Sequence, residues 1–134
     1  MIDLHTHILP GLDDGSPDME ESLAMAELAV EGGVHTLVAT PHSNQRGRFE
    51  NYTSVKLRSA FDDFRKAVED RNLPLRVLPG MEIFCTDDIR ILIESGFLTG
   101  LNHSDYYLIE FPFDGYRVGW ATVWRKCWIW EKHR

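Results

Sequence analysis

MIDLHTHILPGLDDGS, residues 1–16, is the stretch that decides the fold. Ile2 to His5 is a short apolar start of strand type, and Gly11, Asp13, Asp14 and Gly15 make a loop too rich in turn formers to continue it. Ser16 followed by Pro17 reads as an N-cap with proline at the first helical position, where its missing N–H costs nothing. Strand, loop and helix start together make the first part of a βα unit. His5 and His7 stand at i and i+2 on the extended segment, so both imidazoles point the same way and can reach one metal ion. In isolation, an HxH pair is better read as two exposed or hydrogen-bonded histidines. The rest of the chain changes that balance.

Working outward, Met19, Leu23, Ala26 and Val30 recur at offsets of an amphipathic helix, which Gly32-Gly33 should stop. Val34 to Ala39 is β-branched and apolar enough for a buried strand, ending at Thr40-Pro41-His42. After a polar loop, Leu57, Phe61, Phe64 and Val68 predict a helix from about Thr53 to Asp70. Leu75 to Leu78 is a third strand, Pro79-Gly80 should turn the chain, and Glu82 sits just beyond. Thr86 is expected to cap a third helix with Asp87 and Asp88 in its first turn, ahead of Ile89, Leu92 and Ile93 and a stop at Gly96. Tyr106 to Ile109 is a fourth strand, followed by Glu110.

Alternating strands and helices predict an α/β fold, about four parallel strands with intervening helices in a sheet or barrel. His5, His7, His42, Glu82 and Glu110 then all fall at or just beyond C-terminal strand ends, the face on which barrel enzymes place their chemistry. Three imidazoles and at least three carboxylates on one rim would be costly to desolvate unless cations neutralised them. Mixed nitrogen and oxygen donors suit manganese, zinc or iron better than calcium or magnesium.

MIDLHTHILPGLDDGS, VATPH at 38–42, PGMEI at 79–83 and LIEFPF at 108–113 resemble, in order and spacing, the polymerase-and-histidinol-phosphatase (PHP) superfamily. Within it they are most similar to the bacterial tyrosine phosphatases encoded with capsule and exopolysaccharide genes. The resemblance implies the N-terminal part of a distorted (β/α)7 barrel. It also implies a trinuclear, usually manganese-dependent, centre that hydrolyses phosphotyrosine on a partner tyrosine kinase. Carried over by position, His5 and His7 share one metal with Glu82, Asp14 and His42 serve a second, and Glu110 joins Glu82 on the third. His5, His7 and His42 would thus act in catalysis through bound metals. Asp13 competes with Asp14, and the family pattern alone favours Asp14. Arg46 and Arg48 could hold a phosphate or an acidic substrate segment, against the plainer reading of a solvated loop. His35, His103 and Asp3 read as structural or exposed residues. Cys85 lacks the phosphate-cradling loop of a cysteine-dependent phosphatase, and two distant cysteines, Cys85 and Cys127, suit a reducing compartment.

The resemblance covers about residues 1–114, and the partial domain is expected to span 1–115. The family's domain is about twice as long and continues to HPER and D-x-H motifs, which do not occur here. Composition shifts where the resemblance stops. The net charge of −7 divides into nine basic against twenty acidic residues in 1–115 and five against one in 116–134, and all four tryptophans lie in that last stretch. An aromatic-striped helix through Trp120, Trp124 and Trp128 competes with a shifted reading frame or disrupted C-terminus, and the second is favoured because the change begins where the motifs end. The acidic balance speaks against nucleic-acid or anionic-membrane binding, and no apolar run is long enough to span a membrane. A cytoplasmic protein is expected, with six candidate ligands for three metals and therefore reduced metal affinity, weak activity alone and a tendency to associate. A histidinol-type small-molecule phosphatase and a non-catalytic binding module are the alternatives.

Overall fold

In a computed structural model, residues 1–111 are described, so the expected aberrant tail at 116–134 and its boundary lie outside the described residues. The elements are β1 (Ile2–Thr6), α1 (Met19–Glu31), β2 (Thr36–Ala39), α2 (Val55–Asp70), β3 (Arg76–Pro79), β4 (Glu82–Phe84), α3 (Ile89–Glu94), a 3-10 turn (Leu101–His103) and β5 (Leu108–Glu110). All strand pairs are parallel. β1, β2 and β3 form one sheet in that order, with Leu37 opposite Asp3 and Val77, and β4 pairs with β5 with Ile83 opposite Ile109. An isolated bridge between His42 and Glu82 carries the ladder from the end of β2 onto β4. The five segments therefore occupy the four strand positions expected, because β3 and β4 are successive parts of one.

Here the structure corrects one expectation. Pro79-Gly80 does not turn the chain away; it steps from β3 to β4 along one path. Gly80 permits the step, since a Cβ there would lie 2.7 Å from Val38 Cγ1 and 3.0 Å from Leu101 Cδ2.

Two helix starts are also corrected. α1 is capped by Asp18, whose carboxylate accepts from Glu21 N–H at 2.9 Å, not by Ser16. Ser16 is buried and otherwise engaged: its N–H donates to the His7 carbonyl and its hydroxyl to the Asp18 carbonyl. Thr86 does not cap α3, because its hydroxyl accepts from Asn44 Nδ2, and the position before the helix is Asp88 with no side-chain cap. α2 opens as a capped helix at Ser54, which accepts from Leu57 N–H.

Leu37, Ala39 and Val77 from the sheet meet Leu23 and Ala26 of α1 and Phe64 and Val68 of α2 in the main core. A second cluster joins Met81, Ile83, Ile89 and Leu98 beneath α3. Burial of this apolar surface is the main driving force for docking both layers. β1 has one strand neighbour among the described residues, and Ile2 and Leu4, which share a face, stay 57% and 55% exposed. No described helix is long and apolar enough to cross a membrane.

Candidate metal centre

The rim brings together every residue that the sequence placed there: His5, His7, His42 and Glu110 at or just beyond the C-terminal ends of β1, β2 and β5, and Glu82 at the start of β4, just past β3. His5 Nε2 lies 3.2 Å from His7 Nε2 and 3.2 Å from Glu82 Oε1. Glu82 Oε2 lies 3.2 Å from His7 Nε2 and 2.9 Å from His42 Nδ1. His42 Nε2 faces Asp14 Oδ1 at 3.4 Å, and its Nδ1 faces Glu110 Oε2 at 3.5 Å. Three overlapping groups result: His5, His7 and Glu82; His7, Asp14 and His42; His42, Glu82 and Glu110. In each, one donor atom per residue lies within 4.8 Å of the others.

Asp13 organises this rim from behind. Its Oδ2 accepts from His7 Nδ1 at 2.7 Å and from the His42 backbone N–H at 2.9 Å, while Oδ1 accepts from Gly15 N–H at 3.0 Å. Burial opposes its ionisation, but the hydrogen bonds from His7, Gly15 and His42 outweigh that and hold its carboxyl below the ordinary value. The same hydrogen bond raises His7 above the ordinary imidazole value, against desolvation. A proton on Nδ1 leaves the lone pair of neutral His7 on Nε2, which faces the cluster. Gly15 allows the loop to close over His7, since a Cβ there would stand 2.0 Å from the His7 carbonyl oxygen. Asp13 is thus spent on hydrogen bonds, and the half-exposed Asp14 is the carboxylate that turns toward His42.

The donors fit a divalent cation. Glu82 Oε2 is buried and has no hydrogen-bond partner among the described residues, although two imidazole nitrogens stand within 3.2 Å of it. An orphaned buried carboxylate oxygen is costly, and acceptors aimed at one another are the arrangement a cation would relieve. Imidazole nitrogen with carboxylate oxygen is a set suited to manganese, iron or zinc.

A family model for capsular polysaccharide synthesis, CpsB/CapC, matches residues 1–118. The chain belongs to the CpsB/CapC family. It is 43% identical over 114 residues to the tyrosine-protein phosphatase YwqE of Bacillus subtilis (strain 168), covering 85% of this chain and 44% of YwqE. It is 36% identical over 111 residues to the tyrosine-protein phosphatase CpsB of Streptococcus pneumoniae, covering 83% of this chain and 45% of that one. It also superposes at a TM-score of 0.88 and 37% identity on a chain from the crystal structures of YwqE and CpsB, described as unique metal-dependent tyrosine phosphatases, covering 96% of this chain and 51% of that chain. The α/β fold is therefore that of the YwqE and CpsB enzymes, and this CpsB/CapC chain spans about half the length of the relatives it matches.

The loop of this CpsB/CapC chain after His42 separates the two candidate arginines. Gly47 tips a tight hairpin closed by the Gln45–Phe49 bridge. Arg48 donates to Asp14 Oδ2 at 3.1 Å and lies 4.8 Å over the Phe49 ring, which itself stacks on His42 at 5.4 Å. Arg46 instead pairs with Asp88 ahead of α3. His35 and His103 are exposed, and Asp3 accepts from His5 N–H. Gln45, which no sequence signal singled out, donates to Glu110 Oε2 at 2.7 Å and lies 3.1 Å from His42 Nδ1. Its position in a loop without periodicity hides it from a linear reading.

Proposed function

We propose that this chain carries the metal-binding rim of a phosphotyrosine phosphatase that acts in the cytoplasm on a phosphorylated bacterial tyrosine kinase of capsule or exopolysaccharide synthesis. One observation carries the reading: three donor groups of imidazole and carboxylate interlock, two of them through Glu82, whose buried Oε2 has no hydrogen-bond partner among the described residues. Names of the relatives supply the reaction class. Manganese is the proposed ion, with iron or zinc as substitutes, in line with the mixed donor set.

His5, His7 and Glu82 would hold one ion, Asp14 and His42 a second, and Glu110 with Glu82 a third. A neutral imidazole has one lone pair to give. His7 therefore completes the first group or the second, and His42 the second or the third. With His7 in the first group and His42 in the second, only the first keeps three donors, and three protein ligands with an open position are the usual catalytic minimum. This argues for one firm and two weak sites, and for slow turnover by this chain alone. Bound divalent cations supply an activated water and neutralise phosphate oxygens. The residues do the rest: Asp13 keeps the His7 lone pair turned inward, Phe49 backs the His42 ring, and Arg48 is placed to move from Asp14 to a substrate phosphate. Arg46 lies farther out and would meet an acidic flanking segment.

The test is a manganese-supplemented assay comparing a phosphotyrosine peptide with histidinol phosphate. Slow hydrolysis of the peptide, abolished by His42→Ala, is expected. Turnover equal to full-length YwqE would overturn the impairment, preference for histidinol phosphate would make this a small-molecule phosphatase, and absence of both hydrolysis and manganese binding would leave a non-catalytic module.

A further inference from the structure

His42 lies one step beyond Thr40-Pro41, where the β2 ladder has ended, yet two of the three donor groups depend on it. Its bridge to Glu82 ties it on the β4 side, but on the β1 side its N–H and carbonyl have no strand partner among the described residues. Its N–H is taken by Asp13, from the β1 side of the rim. Its carbonyl is taken by Asn51, a buried residue at the far end of the hairpin loop, whose Nδ2 donates to the His42 carbonyl at 2.8 Å. The same amide nitrogen donates to the Leu12 carbonyl, also at 2.8 Å. Leu12 is two residues before Asp14, and it is buried.

We infer that Asn51 is a positioning residue for the Asp14–His42 pair, and that it does so by clamping together the backbones that carry the two ligands. An amide NH2 has two donors, and here each serves a carbonyl from a different loop. Neither carbonyl has the regular ladder partner that a strand interior would supply. The 3.4 Å approach of Asp14 Oδ1 to His42 Nε2 is therefore set by a third residue that touches neither side chain. Partners of this kind, one shell behind the ligands, commonly change metal affinity by about 10- to 100-fold when removed.

The clamp rests on the metal-binding reading above, so the experiment separates the two. The full chain is titrated with manganese as wild type, Asn51→Ala, Asn51→Ser and a control, Val68→Ala, which opens the main core under the last turns of α2. Histidine ring signals are followed by NMR in metal-free samples of each. Expected in Asn51→Ala are loss of one weak manganese site, or its weakening by about 10-fold or more, with the His5–His7–Glu82 site kept, and a shifted His42 ring signal without metal. Asn51→Ser, whose hydroxyl can donate to one carbonyl only, should fall between and answers the question should the alanine variant not fold. Val68→Ala should lower the melting temperature while leaving stoichiometry and the His42 signal alone. An unmoved His42 signal with wild-type titration in the folded Asn51 variants overturns the clamp, as does equal loss of all sites in Val68→Ala. Failure of the wild type to bind manganese overturns the metal reading instead, and the metal-free His42 signal still decides the clamp.

Discussion

Replacing Glu82 by glutamine should make the metal-free protein more stable and the manganese-loaded protein less so. Glu82 Oε2 is buried without a hydrogen-bond partner among the described residues, 2.9 Å from His42 Nδ1 and 3.2 Å from His7 Nε2. An unsatisfied buried acceptor costs about 1–3 kcal/mol. A glutamine amide turned with its NH2 toward those nitrogens would convert facing acceptors into hydrogen bonds, so the gain should be of that size. For a chain of this length, 1 kcal/mol moves the melting temperature by about 4 °C, which predicts a rise of about 4–12 °C at pH 8 without metal. Manganese at about 100 times the wild-type Kd should stabilise the wild type by about 2.7 kcal/mol, or about 11 °C. Loss of a charged ligand that belongs to two donor groups should weaken binding by at least about 100-fold, leaving about 0.4 kcal/mol, or about 2 °C. Differential scanning fluorimetry with and without manganese reads both effects in one experiment. A Glu82→Gln protein that melts lower than wild type without metal, yet keeps the full manganese shift, would refute the reasoning.

Asp13→Asn should weaken manganese binding by about 10- to 100-fold while the chain stays folded, because one amide cannot accept from His7, His42 and Gly15 together; calorimetric titration measures this, and an unchanged Kd would count against it. Ile2→Lys with Leu4→Lys should reduce self-association in sedimentation velocity, since these two exposed side chains lie on a strand with one neighbour among the described residues. A sedimentation profile identical to wild type would show that the β1 face is not sticky. Asp18→Ala should cost about 1 kcal/mol in urea denaturation by freeing the Glu21 N–H at the start of α1, whereas Ser16→Ala keeps the N–H bond to the His7 carbonyl, loses only the hydroxyl bonds to the Asp18 carbonyl and Ser22, and should lower stability without changing metal affinity.

Much of this protein was legible along the chain because strands and helices impose their own periods. Leu57, Phe61, Phe64 and Val68 marked α2, and the apolar run before His42 marked β2. Once the alternation was clear, His5, His7, His42, Glu82 and Glu110 fell at one rim as a matter of topology. Loops carry no such period. Asp13 and Asp14 are neighbours in sequence, and which one turns toward His42 depends on the path by which Gly15 and Ser16 fold back over His7. Ser16 and Thr86 read as caps because a hydroxyl before a helix usually is one; Ser16 instead donates to the Asp18 carbonyl two residues on, and Thr86 accepts from Asn44 in a distant loop.

Periodicity along the chain gives the βα order, and resemblance to the family's motifs adds six candidate ligands, because both are written one position at a time. Only the tertiary structure decided which atoms meet. The step through Gly80 joins β3 to β4, Gln45 reaches Glu110, and the buried amide of Asn51 ties the loop of Asp14 to that of His42. Those outcomes depend on distances between residues 9 to 65 positions apart. Packing and hydrogen-bond satisfaction set such distances, and no pattern within a single segment encodes them.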